Sequence, residues 1–309
     1  MQEISLKSLA KPVTSLIMGS DYFHPARQEV VDSMLENYAS VGGNTVDTAF
    51  IYSGGESEIA IGNWLDQGNR GRLNILTKGG HPNENGPTIN ESDIEEQLKR
   101  SLDRLKSDSV ELYALHRDDP SLPVGQILEW LNSHVDAGLI TSIGVSNWTT
   151  ARIEEANSYA AAHGLQGIEF SSPNLSLAKA QEPYWKGCIS ADQSTIAWHE
   201  NSGLPLFSWS SQARGFFTGL FSRDNFENQD LVRVFYNDDN WERYDRAGEL
   251  AAQKGVSRIQ IALAYVLNQR FPTAAIIGPK NKEEMESCGE GAEITLSKEE
   301  TAWLDLLEA

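Results

Sequence analysis

"LNILTKGGHPNENGPTINESDIEEQLKRSLDRLKSDSVELYAL", Leu73 to Leu115, contains a short apolar run, an amphipathic stretch and a second apolar run. Leu73–Thr77 and Val110–Leu115 read as strands, and Ser92–Leu105 as a helix that opens on an Asn90/Ser92 cap signal. Strand, helix, strand is one parallel β/α unit. The alternation continues on both sides. Thr14–Gly19, Asn44–Val46, Ile140–Val145, Ile168–Phe170, Leu204–Ser208 and Ala274–Ile277 read as further strands. Arg27–Val41, Glu56–Leu65, Val124–Ala137, Thr149–Ala162, Asp245–Lys254 and Ser257–Gln269 read as helices. Eight such strands predict a closed (β/α)8 TIM barrel, and a chain of 309 residues suits a single barrel domain over 1–309. An open doubly wound sheet is the competing topology. It would usually carry a Gly-rich turn near its first strand, and no G-x-G-x-x-G occurs. Gln212–Asn240 is long for a connection and is expected to be a functional loop, such as a lid.

Composition excludes several classes. Asp and Glu number 44 against 25 Lys and Arg, a net charge of −19. Such a chain repels phosphate backbones and anionic membranes, so neither nucleic acid nor membrane is expected as a partner. An anionic ligand would need a locally basic site. No apolar run approaches the ~20 residues that span a bilayer. Met1–Ser5 lacks a basic region followed by an apolar core, so no signal peptide is expected. The two cysteines, Cys188 and Cys288, form no disulfide framework and fit a reducing cytoplasm as inert thiols. The six histidines show no H-x-H or H-E-x-x-H spacing, so no catalytic metal is expected.

In a barrel of this kind catalytic groups sit at the C-terminal strand ends. The second strand ends at Asp47 in "VDTAFIYSGGESE", with Tyr52 a few residues on. The third ends at Lys78, the fourth at His116 and the fifth at Ser146-Asn147. Alone, Asp47 and Tyr52 read as a strand cap and a packed ring. Ionisable groups closing three successive strands are hard to explain by packing. A buried lysine needs a partner, and Asp47 is one strand away.

"VDTAFIYSGGESE", "TKGG", "LHRDD" and "GVSNW", in this order and spacing, resemble the aldo-keto reductases. "SWSSQARGFFTG" and "IIGPKNKEEME" resemble that family's cofactor loops, so the resemblance covers essentially the whole chain. It implies an NADPH-dependent reduction of small aldehyde or ketone carbonyls to alcohols, with NADH a possible substitute. A carbonyl that accepts hydride becomes an alkoxide and needs a proton. A phenol with pKa about 10 is a poor acid at neutral pH, and a neighbouring ammonium lowers that value. Tyr52 is thus expected to give the proton, Lys78 to tune it, Asp47 to hold Lys78, and His116 to orient the carbonyl.

On the cofactor side, the resemblance gives Trp209 as a stacking aromatic and Ser146 and Asn147 as carboxamide partners. Ser172 stands where the family often has Gln. Ser20 and Asp21 resemble the turn near the ribose. Ser210, Gln212 and Arg214 are expected near the pyrophosphate, and Gly278, Lys280 and Asn281 near a 2′-phosphate. Glu284 and Ser287-Cys288 depart from the family's usual residues there. Lys280 favours NADPH, because NADH needs no such charge. Tyr22, Phe23 and Trp148 are candidates for an aromatic substrate pocket. The competing readings are a cofactor-binding barrel that acts as a sensor or subunit, and a barrel hydrolase using Asp47 with Asp118-Asp119. The first needs no acid, and the second leaves Lys78 and Tyr52 without a role.

Overall fold

The structure, a computed structural model, describes residues 1–307. A short hairpin, β1 (Glu3–Ile4) and β2 (Val13–Thr14), comes first. The barrel strands follow: β3 (Leu16–Gly19), β4 (Thr45–Asp47), β5 (Asn74–Gly79), β6 (Val110–Leu115), β7 (Ile140–Ser146), β8 (Phe170–Ser172), β9 (Leu206–Ser208) and β10 (Thr273–Ile277). All pair in parallel with their sequence neighbours, and β10 closes the ring on β3. This is the expected (β/α)8 barrel.

The period-two alternation of the strands divides the core. Ile17, Leu76, Leu112, Phe170, Phe207 and Ile276 fill the barrel, and Ile4, Leu6 and Val13 close one end. Their neighbours Leu16, Met18, Ile75 and Tyr113 pack under the helices. Phe170 and Phe207 stack at 4.7 Å inside the barrel. They fit because Gly144 has no side chain: a Cβ there would stand 2.1 Å from the Phe170 ring.

The helices are α1 (Gln28–Ser40), α2 (Glu56–Trp64), α3 (Glu91–Leu105), α4 (Val124–Asp136), α5 (Thr150–His163), α6 (Gln193–Ser202), α7 (Gln229–Phe235), α8 (Asp238–Lys254), α9 (Arg258–Leu267), α10 (Lys282–Gly291) and α11 (Lys298–Leu304). In α3, Asn90 accepts from the Asp93 N–H as N-cap. Ile94, Leu98, Leu102 and Leu105 bury one face. None of the described helices is long and apolar enough to cross a membrane.

Two expectations need correction. Four helices went unread: α6, α7, α10 and α11. Each is short, and α6 buries only Ile196 and His199. The second is Gln212–Asn240, which is not one open loop. It holds a helical turn at Ala213–Thr218, α7 and the start of α8, which begins at Asp238 and not Asp245. Phe216 anchors it against Trp241 at 4.8 Å and Tyr244 at 5.7 Å.

Helices α2 and α3 touch at Gly62, where a Cβ would stand 2.1 Å from the Arg104 carbonyl. Gly62→Ala is therefore expected to lower stability by about 1–3 kcal/mol, the usual cost of overpacking. A denaturant melt that matched the parent would contradict this contact.

Candidate active site

Parallel register sets Asp47 beside Leu76 and Lys78 beside Ala114, so the ends of β4, β5 and β6 share one rim. The Lys78 ammonium reaches three acceptors there. Asp47 Oδ1 is at 2.5 Å, the Thr48 carbonyl at 2.9 Å and the Tyr52 hydroxyl at 3.2 Å. One carboxylate in an ion pair and two hydrogen-bond acceptors thus meet an ammonium that is 2% exposed.

Local chain geometry brings Tyr52 to this point. The Thr48 and Phe50 N–H groups bond the Leu76 and Lys78 carbonyls, which carries the chain along β5 beyond the end of β4. A turn then opens at Tyr52–Gly55, with Ser53 at φ 49°. The Ser53 hydroxyl fixes it by donating to the Asp21 carbonyl at 2.7 Å. Arg104 braces it by donating to the Phe50 carbonyl at 2.9 Å. Arg104 itself pairs at 3.0 Å with Glu58, which is fully buried and accepts from Thr77 at 2.6 Å. Sequence reading missed Glu58 and Arg104, because nothing in their spacing shows that α2 and α3 meet.

Burial governs the electrostatics. It pushes the Asp47 carboxyl up and the Lys78 ammonium down, and each partner opposes the shift of the other. Burial raises the Tyr52 phenol well above its ordinary value, reinforced by Asp47 and Asp21 and opposed by Arg117. The sequence suggested a net lowering; in the free protein desolvation wins. Tyr52 is therefore held protonated, and the Lys78 N–H beside it favours any phenolate that forms. Burial, with Lys78, Arg117 and His81, holds His116 well below the usual imidazole range, so it is neutral. The His116 ring meets Tyr52 edge-on at 5.7 Å and His81 at 5.0 Å, and its Nδ1 is buried without a partner.

The next strands carry the other candidates. Ser146 donates to the Ser172 carbonyl at 2.9 Å. Asn147, at φ 60°, donates to Ser146 at 2.9 Å and to the His116 carbonyl at 3.4 Å. The Ser172 hydroxyl is committed to the Phe207 carbonyl at 2.7 Å. Trp209 follows β9, half-buried beside Trp185 at 5.7 Å, with its Nε1 unpartnered. Ser210 and Arg214 have positive φ, and Arg214 lies over the rings of Tyr184 and Trp185. Gln212 meets the Cys288 thiol at 3.8 Å. Beyond β10, Gly278 precedes Pro279, whose carbonyl accepts from the Tyr22 hydroxyl. Lys280 is exposed, and its backbone N–H donates to Glu284 at 2.8 Å. Asn281 caps α10 and also binds Glu284 at 3.0 Å.

Some candidates are buried. Phe23 is 1% exposed in the core and offers no surface to a substrate. Trp148 is 3% exposed, and its indole N–H is bound to the Arg117 carbonyl at 3.0 Å. Only Tyr22 of the three aromatic candidates is open to solvent. Ser20 is fully buried and bonded to the Asp47 carbonyl and to Ser57, while Asp21 beside it is exposed. A surface depression of about 640 Å³ lies at Leu220–Asp230 and contains none of these groups.

Comparison with known proteins follows the same lines. A family model described as the Aldo/keto reductase family matches residues 16–309. The uncharacterized oxidoreductase YrpG of Bacillus subtilis is 27% identical over 283 residues, 87% of this chain and 83% of that one. The aldo-keto reductase yakc [NADP(+)] of Schizosaccharomyces pombe is 28% identical over 292 residues, 89% of this chain and 81% of its own. The solved structure of the thermostable aldo-keto reductase Tm1743 superposes with a TM-score of 0.77 at 23% identity, over all of both chains.

Proposed function

The chain belongs to the aldo/keto reductase family, and from that premise we propose that it reduces aldehyde or ketone carbonyls to alcohols with NADPH, Tyr52 giving the proton. One observation carries the reading: a single buried ammonium, Lys78, touches both a carboxylate and a phenol. A pure cofactor-binding protein has no use for such a proton donor.

The rim suits a nicotinamide cofactor. Trp209 offers an aromatic face with an unpartnered Nε1. Asn147 holds the His116 carbonyl by a long bond of 3.4 Å, which it can exchange for a ligand amide. Ser146 stands beside it. Arg214 and Lys280 provide positive charge in a chain of net −19. When bound, the reduced nicotinamide supplies the hydride.

The protein's own groups do the rest. Neutral His116 and the Tyr52 hydroxyl hold the carbonyl oxygen by hydrogen bonds. As the carbonyl carbon gains hydride, the O–H bond of Tyr52 breaks and its proton passes to the oxygen. The Lys78 N–H takes up the phenolate charge, and Asp47 keeps Lys78 in place. The single-domain organisation over 1–309 and the assigned site residues belong to this proposal. The test is product formation: 4-nitrobenzaldehyde and NADPH should give the benzyl alcohol. No alcohol from a panel of aldehydes and ketones would reject the reading.

Cofactor preference is placed on Lys280. Lys280→Ala is expected to weaken NADPH binding about ten- to hundredfold, the range of a charge-assisted hydrogen bond, and to leave NADH nearly unchanged. Because Lys280 is exposed, the effect should shrink with salt. Glu284 stands close enough to oppose the phosphate and favours the lower part of that range. Fluorescence titration with both cofactors decides. Equal losses would mean that Lys280 supports the loop and does not read the phosphate.

A further inference from the structure

Among the described residues three lysine or arginine side chains are buried: Lys78, Arg117 and Arg243. Lys78 pairs with Asp47 and Arg243 with Asp305. Among the described residues no carboxylate pairs with Arg117. Its chain neighbours turn elsewhere: Asp118 binds Arg152 at 3.2 Å and Asp119 accepts from Ser121 at 2.6 Å. A buried charge without a counter-charge is costly and rare. In a protein of net charge −19 an unneutralised buried guanidinium is more unusual still.

The donor inventory agrees. A guanidinium has five N–H donors. Nη1 donates to the His116 carbonyl at 2.7 Å, and Nη2 to the Cys188 sulfur at 3.2 Å. Nε is buried and has no partner among the described residues. Cys188 does not supply the missing charge, because burial pushes its thiol up in spite of Arg117. Gly187, at φ +77°, packs against this flank without a side chain: a Cβ there would be in van der Waals contact, 3.6 Å from Nε and 3.7 Å from Cδ. Arg117 follows His116 directly, and its charge bears on His116, Lys78 and Tyr52.

We infer that Arg117 is a subsite for an anionic group, carboxylate or phosphate, carried by the carbonyl substrate. The preferred substrates are then aldehydes or ketones that bear an acid group, which completes the ion pair this guanidinium lacks. A planar fork with free N–H donors suits such a group. The inference rests on reading the rim of Tyr52, Lys78 and His116 as the carbonyl site.

The test compares matched substrates in the wild type, Arg117→Met and Arg117→Lys. Succinic semialdehyde is set against butanal, and glyceraldehyde 3-phosphate against glyceraldehyde. In Arg117→Met the ratio of kcat/KM, charged over uncharged, is expected to fall about ten- to hundredfold for at least one pair. The pair that falls identifies carboxylate or phosphate. Arg117→Lys, which keeps the charge, should retain most of the preference. A fall below about fivefold in both pairs overturns the inference, since a charge-assisted contact is worth more.

Should Arg117→Met fail to melt cooperatively, benzoate and benzamide are titrated into the wild type and Arg117→Lys, with tryptophan fluorescence as the signal. Benzoate is expected to bind both proteins at least about tenfold more tightly than benzamide, the lower bound for such a contact. Equal affinities overturn the inference. This readout needs no turnover. A protein that bound benzoate in this way but reduced no carbonyl would remove the proposed function and leave the anion subsite standing.

Discussion

Tyr52→Phe is expected to lower kcat for carbonyl reduction by about 10²–10⁴-fold, the usual contribution of a general acid. NADPH affinity should hardly change. The substitution removes one oxygen and leaves the ring, which meets His116 edge-on and lies 4.8 Å from the Lys78 ammonium. Packing is thus kept while the proton is lost. The loss should appear in kcat more than in KM, because the hydroxyl does most when charge builds on the carbonyl oxygen. A Phe variant that kept more than about a tenth of the parent kcat would exclude Tyr52 as the donor, since general acids contribute far more than tenfold.

The second large effect lies one contact deeper. Lys78→Met should be as damaging to kcat as the tyrosine change, because no ammonium then meets the phenolate. It should also cost stability, about 3–5 kcal/mol, by leaving Asp47 buried without its partner. Asp47→Asn should show the same pattern from the other side. The two effects separate in the double variant Asp47→Asn, Lys78→Met. Removing both charges leaves no orphan, so the double variant should melt above either single one while remaining as inactive. Melting points that simply added would deny the pair its coupling. Activity in the double variant would deny it a part in the chemistry.

Much of the barrel was legible because each strand is short, apolar and bounded by loop residues. Asp47, Lys78 and His116 stood out since each closes such a run, at Val46-Asp47, Thr77-Lys78 and Leu115-His116. Parallel register then puts them on one rim. The unread parts depend on contacts between segments distant in the chain. Glu58 looks like an ordinary acid at the start of a helix, and only the close approach at Gly62 brings Arg104 to it. Arg117 and Asp118 are neighbours in the chain, yet it is Arg152 in α5 that pairs with Asp118. The direction of the Tyr52 shift was misread because burial of the phenol cannot be seen in a sequence, and here it outweighs the charges around it. The helix α7 lay hidden in a polar stretch, where Leu231, Val234 and Phe235 alone form its buried side.

The most direct test of the central claim follows the hydride itself. The wild-type protein is given an aldehyde and NADPH deuterated at the transferable position of the nicotinamide ring, and the alcohol is weighed by mass spectrometry. The expected result is one deuterium in each alcohol molecule, one NADPH consumed per alcohol, and no alcohol without the protein. NADPH that binds and stays reduced across aldehydes and ketones, or alcohol that forms without the label, would contradict it.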